Sequence, residues 1–149
     1  MSDSIFLDSN VLVYAYDRSE PAKQKRAMEV LKRLGESGDG VISIQVLAEF
    51  FVSVTRKIAA PLSVVEASER VQNLLAAWTV VDLTGLIVLE AVRGIRDHSF
   101  HYWGAQIWAT ARLNQIPVVF SEDLSPDSNV EGVHFVNPFA QGFQLEAWV

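Results

Sequence analysis

Cysteine is absent from the 149 residues, so neither a disulfide nor a thiolate-held metal can belong to this fold. That absence also suits a reducing compartment. No apolar run approaches the roughly 20 residues that a membrane-spanning helix needs. The opening stretch "MSDSIF" has no basic segment ahead of an apolar one, which argues against a secretory signal. The expectation is a soluble, cytoplasmic chain with no membrane partner. Basic residues are also unevenly missing. Up to Gln115 there are 12 Lys and Arg against 13 Asp and Glu, and the remainder adds 5 acids and nothing basic. The net charge of −6 therefore sits in the tail, over a near-neutral body that can still carry a basic face.

What is present is a core-forming pattern. Half of the residues are hydrophobic and a fifth are charged, as in globular domains, and the length suits a single domain over 1–149. Short β-branched segments alternate with helical ones. Ile5 to Leu7, Val41 to Ile44, "TVVDL", "VVF" and "VHFV" read as strands. Val11 to Tyr16 reads as a helical turn or two. Pro21 opens a helix with an apolar stripe of Ala27, Val30, Leu31 and Leu34, and Gly38 and Gly40 stop it. Helices are also predicted over Gln45 to Ala59, from Ser63 to about Trp78, from Thr84 to about Arg96, and over "YWGAQIWATARLNQ". The loop "SEDLSPDSNVEG" follows "VVF". No internal repeat or linker is visible. This alternation implies a three-layer α/β/α sandwich around a mostly parallel sheet.

In such sheets ligands bind beyond the carboxyl ends of the strands, near a switch point. Three acids lie at such places. Asp8 ends the first strand. Glu49 lies one helical turn past the second, beside Val46, Phe50 and Val54. Asp123 follows "VVF". Singly, each has an ordinary reading: Asp8 as a helix cap, Glu49 as a solvated helix acid, and "SEDL" as a turn. Their recurrence in successive strand–helix units favours a shared site. Clustered carboxylates repel unless a cation neutralises them, and hard oxygen ligands suit Mg²⁺ or Mn²⁺. Asn10 and Ser121 are placed to orient Asp8 and Asp123.

The segments "FLDSNVLVYAYD", "ISIQVLAEFF", "SFHYWGAQIWATA" and "VVFSEDL" resemble the four motif blocks of the PIN-domain family, in order and over nearly the whole chain. Within that family the chain looks like the VapC-like toxins of bacterial toxin–antitoxin pairs. That resemblance implies a metal-dependent ribonuclease. Asp8, Glu49 and Asp123 would hold or orient Mg²⁺ or Mn²⁺, with Asn10 and Ser121 as polar support. Its partners would be an RNA substrate, a cognate antitoxin and a second copy in a homodimer. One block departs. Gly104 stands where the family carries an aspartate, so the resemblance implies one weak metal site and reduced cleavage. The alternative is a degenerate domain that binds RNA or antitoxin without cutting.

Asp97 and His101 would share the face of Gly104 only on one continuous helix, and "RDHSFHY" reads as a turn. His98 and His134 are no stronger as replacements. Ile107, Trp108 and Ala111 share that face, so position 104 should point inward. Arg18, Arg93 and Arg96 are candidate RNA-phosphate contacts near the strand ends. Lys23, Lys25, Lys32 and Arg33 read as a solvated helix face. A receiver-like phosphoryl-transfer domain using Asp8 as acceptor is disfavoured, because no lysine follows Lys57.

Overall fold

The computed structural model describes residues 4–124 and 127–149; Ser125 and Pro126, inside the loop expected after "VVF", lie outside them. Strand β1 (Ile5–Leu7) is buried on both faces, as the middle of a parallel sheet requires. Helices α1 (Ser9–Tyr14) and α2 (Pro21–Ser37) lead to β2 (Gly40–Ser43). Then come α3 (Ile44–Arg56), α4 (Val64–Ala77) and β3 (Thr79–Val81). Helices α5 (Gly85–His98) and α6 (Tyr102–Leu113) precede β4 (Val118–Phe120), and a hairpin of β5 (Asn129–Val130) and β6 (Val133–Val136) closes the sheet.

The strand order is β3-β2-β1-β4-β6-β5. All pairings are parallel except β5 with β6. The chain winds outward from β1 to β3, then crosses back to place β4 on the other side of β1. The reversal between β1 and β4 is a switch point, which opens a crevice beyond the strand ends. Leu7 pairs with Phe120, so the residues after them, Asp8 and Ser121, emerge side by side. This is the α/β sandwich that the alternation of segments implies.

Local chemistry sets the helix ends. Pro21 occupies the first turn of α2, and Gly38 ends it with φ +76°, its N–H returning to the Leu34 carbonyl. The strand expected to reach Ile44 stops at Ser43, because the Ser43 hydroxyl accepts the Val46 N–H and starts α3 there. Helix α3 ends at Arg56 rather than Ala59. The Ile58 N–H turns back to the Ser53 carbonyl and that of Leu62 to Val54, which buries Ile58. Ser63 and Glu66 form a reciprocal cap on α4. Replacing Ser63 by alanine should cost about 1 kcal/mol, read as a lower urea midpoint at unchanged slope.

Helices α5 and α6 pack along each other through Trp108. Its indole is fully buried, meets Phe100 and His98 edge-on at 5.5 Å, and donates to the Val130 carbonyl at 3.0 Å. A Cβ on Gly94 would lie 2.9 Å from that ring, so this approach needs glycine. Strand β5 was not expected inside the polar loop. Glu131 and Gly132 both adopt positive φ, 51° and 90°, which is the two-residue turn that joins hairpin strands. Glu131 also accepts from Arg93 and bonds to His98 at 2.6 Å, while Glu90 accepts from Arg93 and Arg112. The Arg93 guanidinium, then the His98 ring, push the Glu131 carboxyl down to about 2.

Candidate functional site

The register of β1 against β4 builds the centre of the site. Asp8 donates its backbone N–H to the Phe120 carbonyl and so stands beside Ser121. One carboxylate oxygen of Asp8 accepts the Ser9 N–H at 2.7 Å, the other the Ser121 hydroxyl at 2.7 Å. Ser121 Oγ also accepts the Asp123 N–H at 3.2 Å. Asn10, on the first turn of α1, points its Nδ2 between two acids: 3.4 Å from Asp8 Oδ2 and 3.3 Å from Asp123 Oδ2. Its Oδ1 accepts the Glu122 N–H at 3.3 Å. Asp8 is thus both the cap of α1 and part of a cluster; the two readings coexist because a carboxylate has two oxygens.

Glu49 reaches the same place from α3. With Ser9, Asn10, Gln45 and Asp123 it lines a groove of about 780 Å³. Burial raises the Asp8 carboxyl above its ordinary value; the Ser121 and Ser9 bonds oppose this and the charge of Asp123 adds to it. Glu49 is raised too, first by burial and then by Asp8, and the charge of Lys57 offsets only the smallest part. The acids feel one another more than they feel any cation of the protein. Among the described residues, however, no group of three or more histidine or acidic side chains converges tightly enough to hold a metal ion. The acids offer only oxygen donors, the kind a hard cation takes, and the Asn10 amide hydrogens between Asp8 and Asp123 offset part of their charge.

Gly104 is the third residue of α6 and is half-buried. A Cβ there would lie 2.8 Å from Leu124 Cδ2, so the Leu124 side chain, next to Asp123, takes up that room. His101 caps the start of α6 without a side-chain bond. Ser99, with φ +58°, ends α5 before it, so Asp97 and His101 do not share a continuous helix with Gly104. Asp97 pairs with Arg93 and Arg96, His98 with Glu131, and the His134 ring packs on Trp148.

The arginines divide. Arg18 is exposed directly after Asp17, which lines the groove. Arg93 and Arg96 do not line it. Acids one helical turn away on α5, with Glu131, engage Arg93, and Asp97 engages Arg96, so a phosphate there would compete with these carboxylates. Two groups went unread in the sequence. Lys23 pairs with Glu122 at 2.6 Å, and Tyr14 donates to the same carboxylate at 2.6 Å; helical spacing alone put Lys23 on a solvated face. Buried Gln45 and Gln106 bond at 2.8 Å, and two amides buried in apolar helices were the available signal.

The PIN domain family model matches residues 5–127. The chain belongs to the PIN domain family. Solved structures with the same architecture include a toxin–antitoxin complex from Klebsiella pneumoniae, 18% identical with TM-score 0.67, over 91% of this chain and 98% of that one. VapC20 of Mycobacterium tuberculosis, described as a sarcin–ricin loop cleaving toxin, is 20% identical with TM-score 0.63, over 86% and 98%. VapBC2 of Rickettsia felis, bound to a DNA fragment from its promoter, is 14% identical with TM-score 0.61, over 89% and 97%. At these identities the likeness is one of fold. A comparison with curated proteins finds no match. Within this PIN domain, no helix among the described residues is long and apolar enough to cross a membrane.

Proposed function

We propose that this PIN domain is a VapC-type toxin of a toxin–antitoxin pair, a ribonuclease dependent on Mg²⁺ or Mn²⁺ whose activity is low because Gly104 replaces an acidic ligand. One observation carries the reading: Glu49, Asp123 and Asn10 line one groove at the switch point, and the Asn10 amide lies between Asp123 and Asp8, which is buried just behind it. When bound, a divalent ion supplies Lewis acidity toward a phosphodiester and the water that attacks it. Asp8 and Asp123 would hold it, with Glu49 completing the set. Ser121 fixes Asp8 by donating to it and fixes the Asp123 backbone by accepting from it. Asn10 ties both acids to the loop after β4. Arg18 at the rim is the phosphate contact that this placement favours.

The neighbouring toxin–antitoxin complexes support an antitoxin as partner. So does the outer face of α5, where Leu86, Leu89 and Val92 are 70%, 67% and 53% exposed, an apolar stripe of the kind that marks an interaction surface.

The test is cleavage of a mixed RNA pool. Slow fragment release should appear with Mn²⁺, stop with EDTA and vanish in Asp8→Asn. Cutting that continues in EDTA, or survives Asp8→Asn, overturns the reading. The binding-only alternative predicts no cutting by the chain as it stands, together with RNA binding that is indifferent to the ion.

A further inference from the structure

We propose that Trp103 is the base-stacking residue of this groove, the surface on which one unpaired nucleotide of the RNA lies when its phosphate reaches Asp8 and Asp123. The inference rests on the ribonuclease reading and names how that site would grip its substrate.

Trp103 lines the groove together with Glu49 and Asp123, yet 63% of it is exposed. Most other large aromatic side chains of the chain are spent on the core, Trp108, Phe6, Phe50 and Phe120 wholly so. An indole left bare beside an acidic cluster needs an explanation. The charge balance of the groove supplies one. Asp17, Glu49, Glu122 and Asp123 line it against a single lysine, Lys57, so the field around the acids repels phosphates. Even the nearby Lys23 is taken up by Glu122. Affinity for a polyanion must then draw on more than the charge of Arg18 at the rim. Stacking on an aromatic face is sequence-tolerant and does not depend on the sign of the local potential.

The backbone that carries the indole is also held in place. The Gln45 amide donates to the Trp103 carbonyl at 3.4 Å and accepts from the Gln106 amide at 2.8 Å, and Gln106 in turn accepts the Tyr102 hydroxyl at 2.8 Å. This chain ties the first turn of α6 to the first turn of α3, and Tyr102 stands at right angles to the Trp103 ring, 5.0 Å between centroids. Both glutamines are buried, so their amides are bound to this arrangement. Ile44, Val52 and Leu83 extend the apolar wall. A paired base offers no free face, so the geometry selects a single strand or a loop.

The test uses the chain as it stands and a 5′-labelled single-stranded RNA decamer, with binding read by fluorescence anisotropy at several salt concentrations. Trp103→Ala should weaken binding about tenfold and Trp103→Phe should restore most of it, since stacking survives in phenylalanine. The dependence on salt should keep its slope, because no charge is removed. Single abasic replacements along the decamer should find one position that costs wild type a similar factor and costs Trp103→Ala nothing. Equal binding by wild type and Trp103→Ala, equal weakening for a duplex, or an abasic penalty that persists without the indole would each overturn the proposal. Metal-dependent cutting by a Gly104→Asp variant reports on the ribonuclease reading separately: if it cuts while Trp103→Ala binds normally, only the stacking role fails.

Discussion

Gly104→Asp should raise Mg²⁺- or Mn²⁺-dependent RNA cleavage by about 10- to 100-fold, the order by which carboxylates that hold or support a bound metal change activity. The fold is prepared to accept it. Position 104 lies in the first turn of α6, where an acid is favoured by the helix dipole by about 0.3–1 kcal/mol, and glycine is the weaker helix former. The obstacle is Leu124 Cδ2, 2.8 Å from the new Cβ. That is the tip of a flexible side chain, which can swing away. If Leu124 limits the gain, adding Leu124→Ala should increase it further. A Gly104→Asp protein that is folded and binds Mn²⁺ yet cuts no faster than the parent contradicts the missing-acid account.

The second large effect is on stability without metal. Asp8 is raised above its ordinary value of 3.8 by burial and then by the charge of Asp123, and Glu49 above 4.5 by burial and then by the charge of Asp8. Above those values the unfolded chain has released its protons while the folded chain still holds them. Stability therefore falls as pH rises from there through the folded-state values. In metal-free buffer the thermal midpoint should decline with pH over that window, and Mg²⁺ should remove the decline by binding the ionised, folded form. Asp8→Asn should flatten the metal-free curve and raise the midpoint near neutral pH, while abolishing the response to Mg²⁺. For a chain of this size each kcal/mol of relief moves the midpoint about 2–4 °C. A curve that rises with pH across the window, or an Asp8→Asn variant that Mg²⁺ still stabilises, contradicts the picture of uncompensated acids.

The strands and their carboxyl-end acids were legible because period and composition speak directly: "IFL" followed by Asp8, "VVF" followed by Ser121 and Asp123. The pairing of β1 with β4, which brings these together, is a non-local choice that no local pattern records. Glu49 was readable by its place after β2, but its closeness to Asp8 depends on how α3 sits against α1. The hairpin went unseen because its strand β5 has only two residues, although "VEGV" carries a turn signal. The ion pairs of Arg93 and Arg96 went unread because one partner, Glu131, comes from a distant turn that only the fold brings near. Trp103 and the Gln45–Gln106 bond needed coordinates: neighbours in sequence, Trp103 and Ala105, end on opposite sides of the burial boundary.

The central claim is that Asp8, Glu49 and Asp123 serve one cation. The most direct measurement is calorimetric titration of the wild-type chain with Mn²⁺, beside Asp8→Asn, Glu49→Gln and Asp123→Asn, with Asp97→Asn as control. The account predicts weak binding by wild type, at least about tenfold weaker in each of the three variants and unchanged in the control. Undiminished affinity after loss of Asp8 or Asp123, or equal weakening in the Asp97 control, would contradict it.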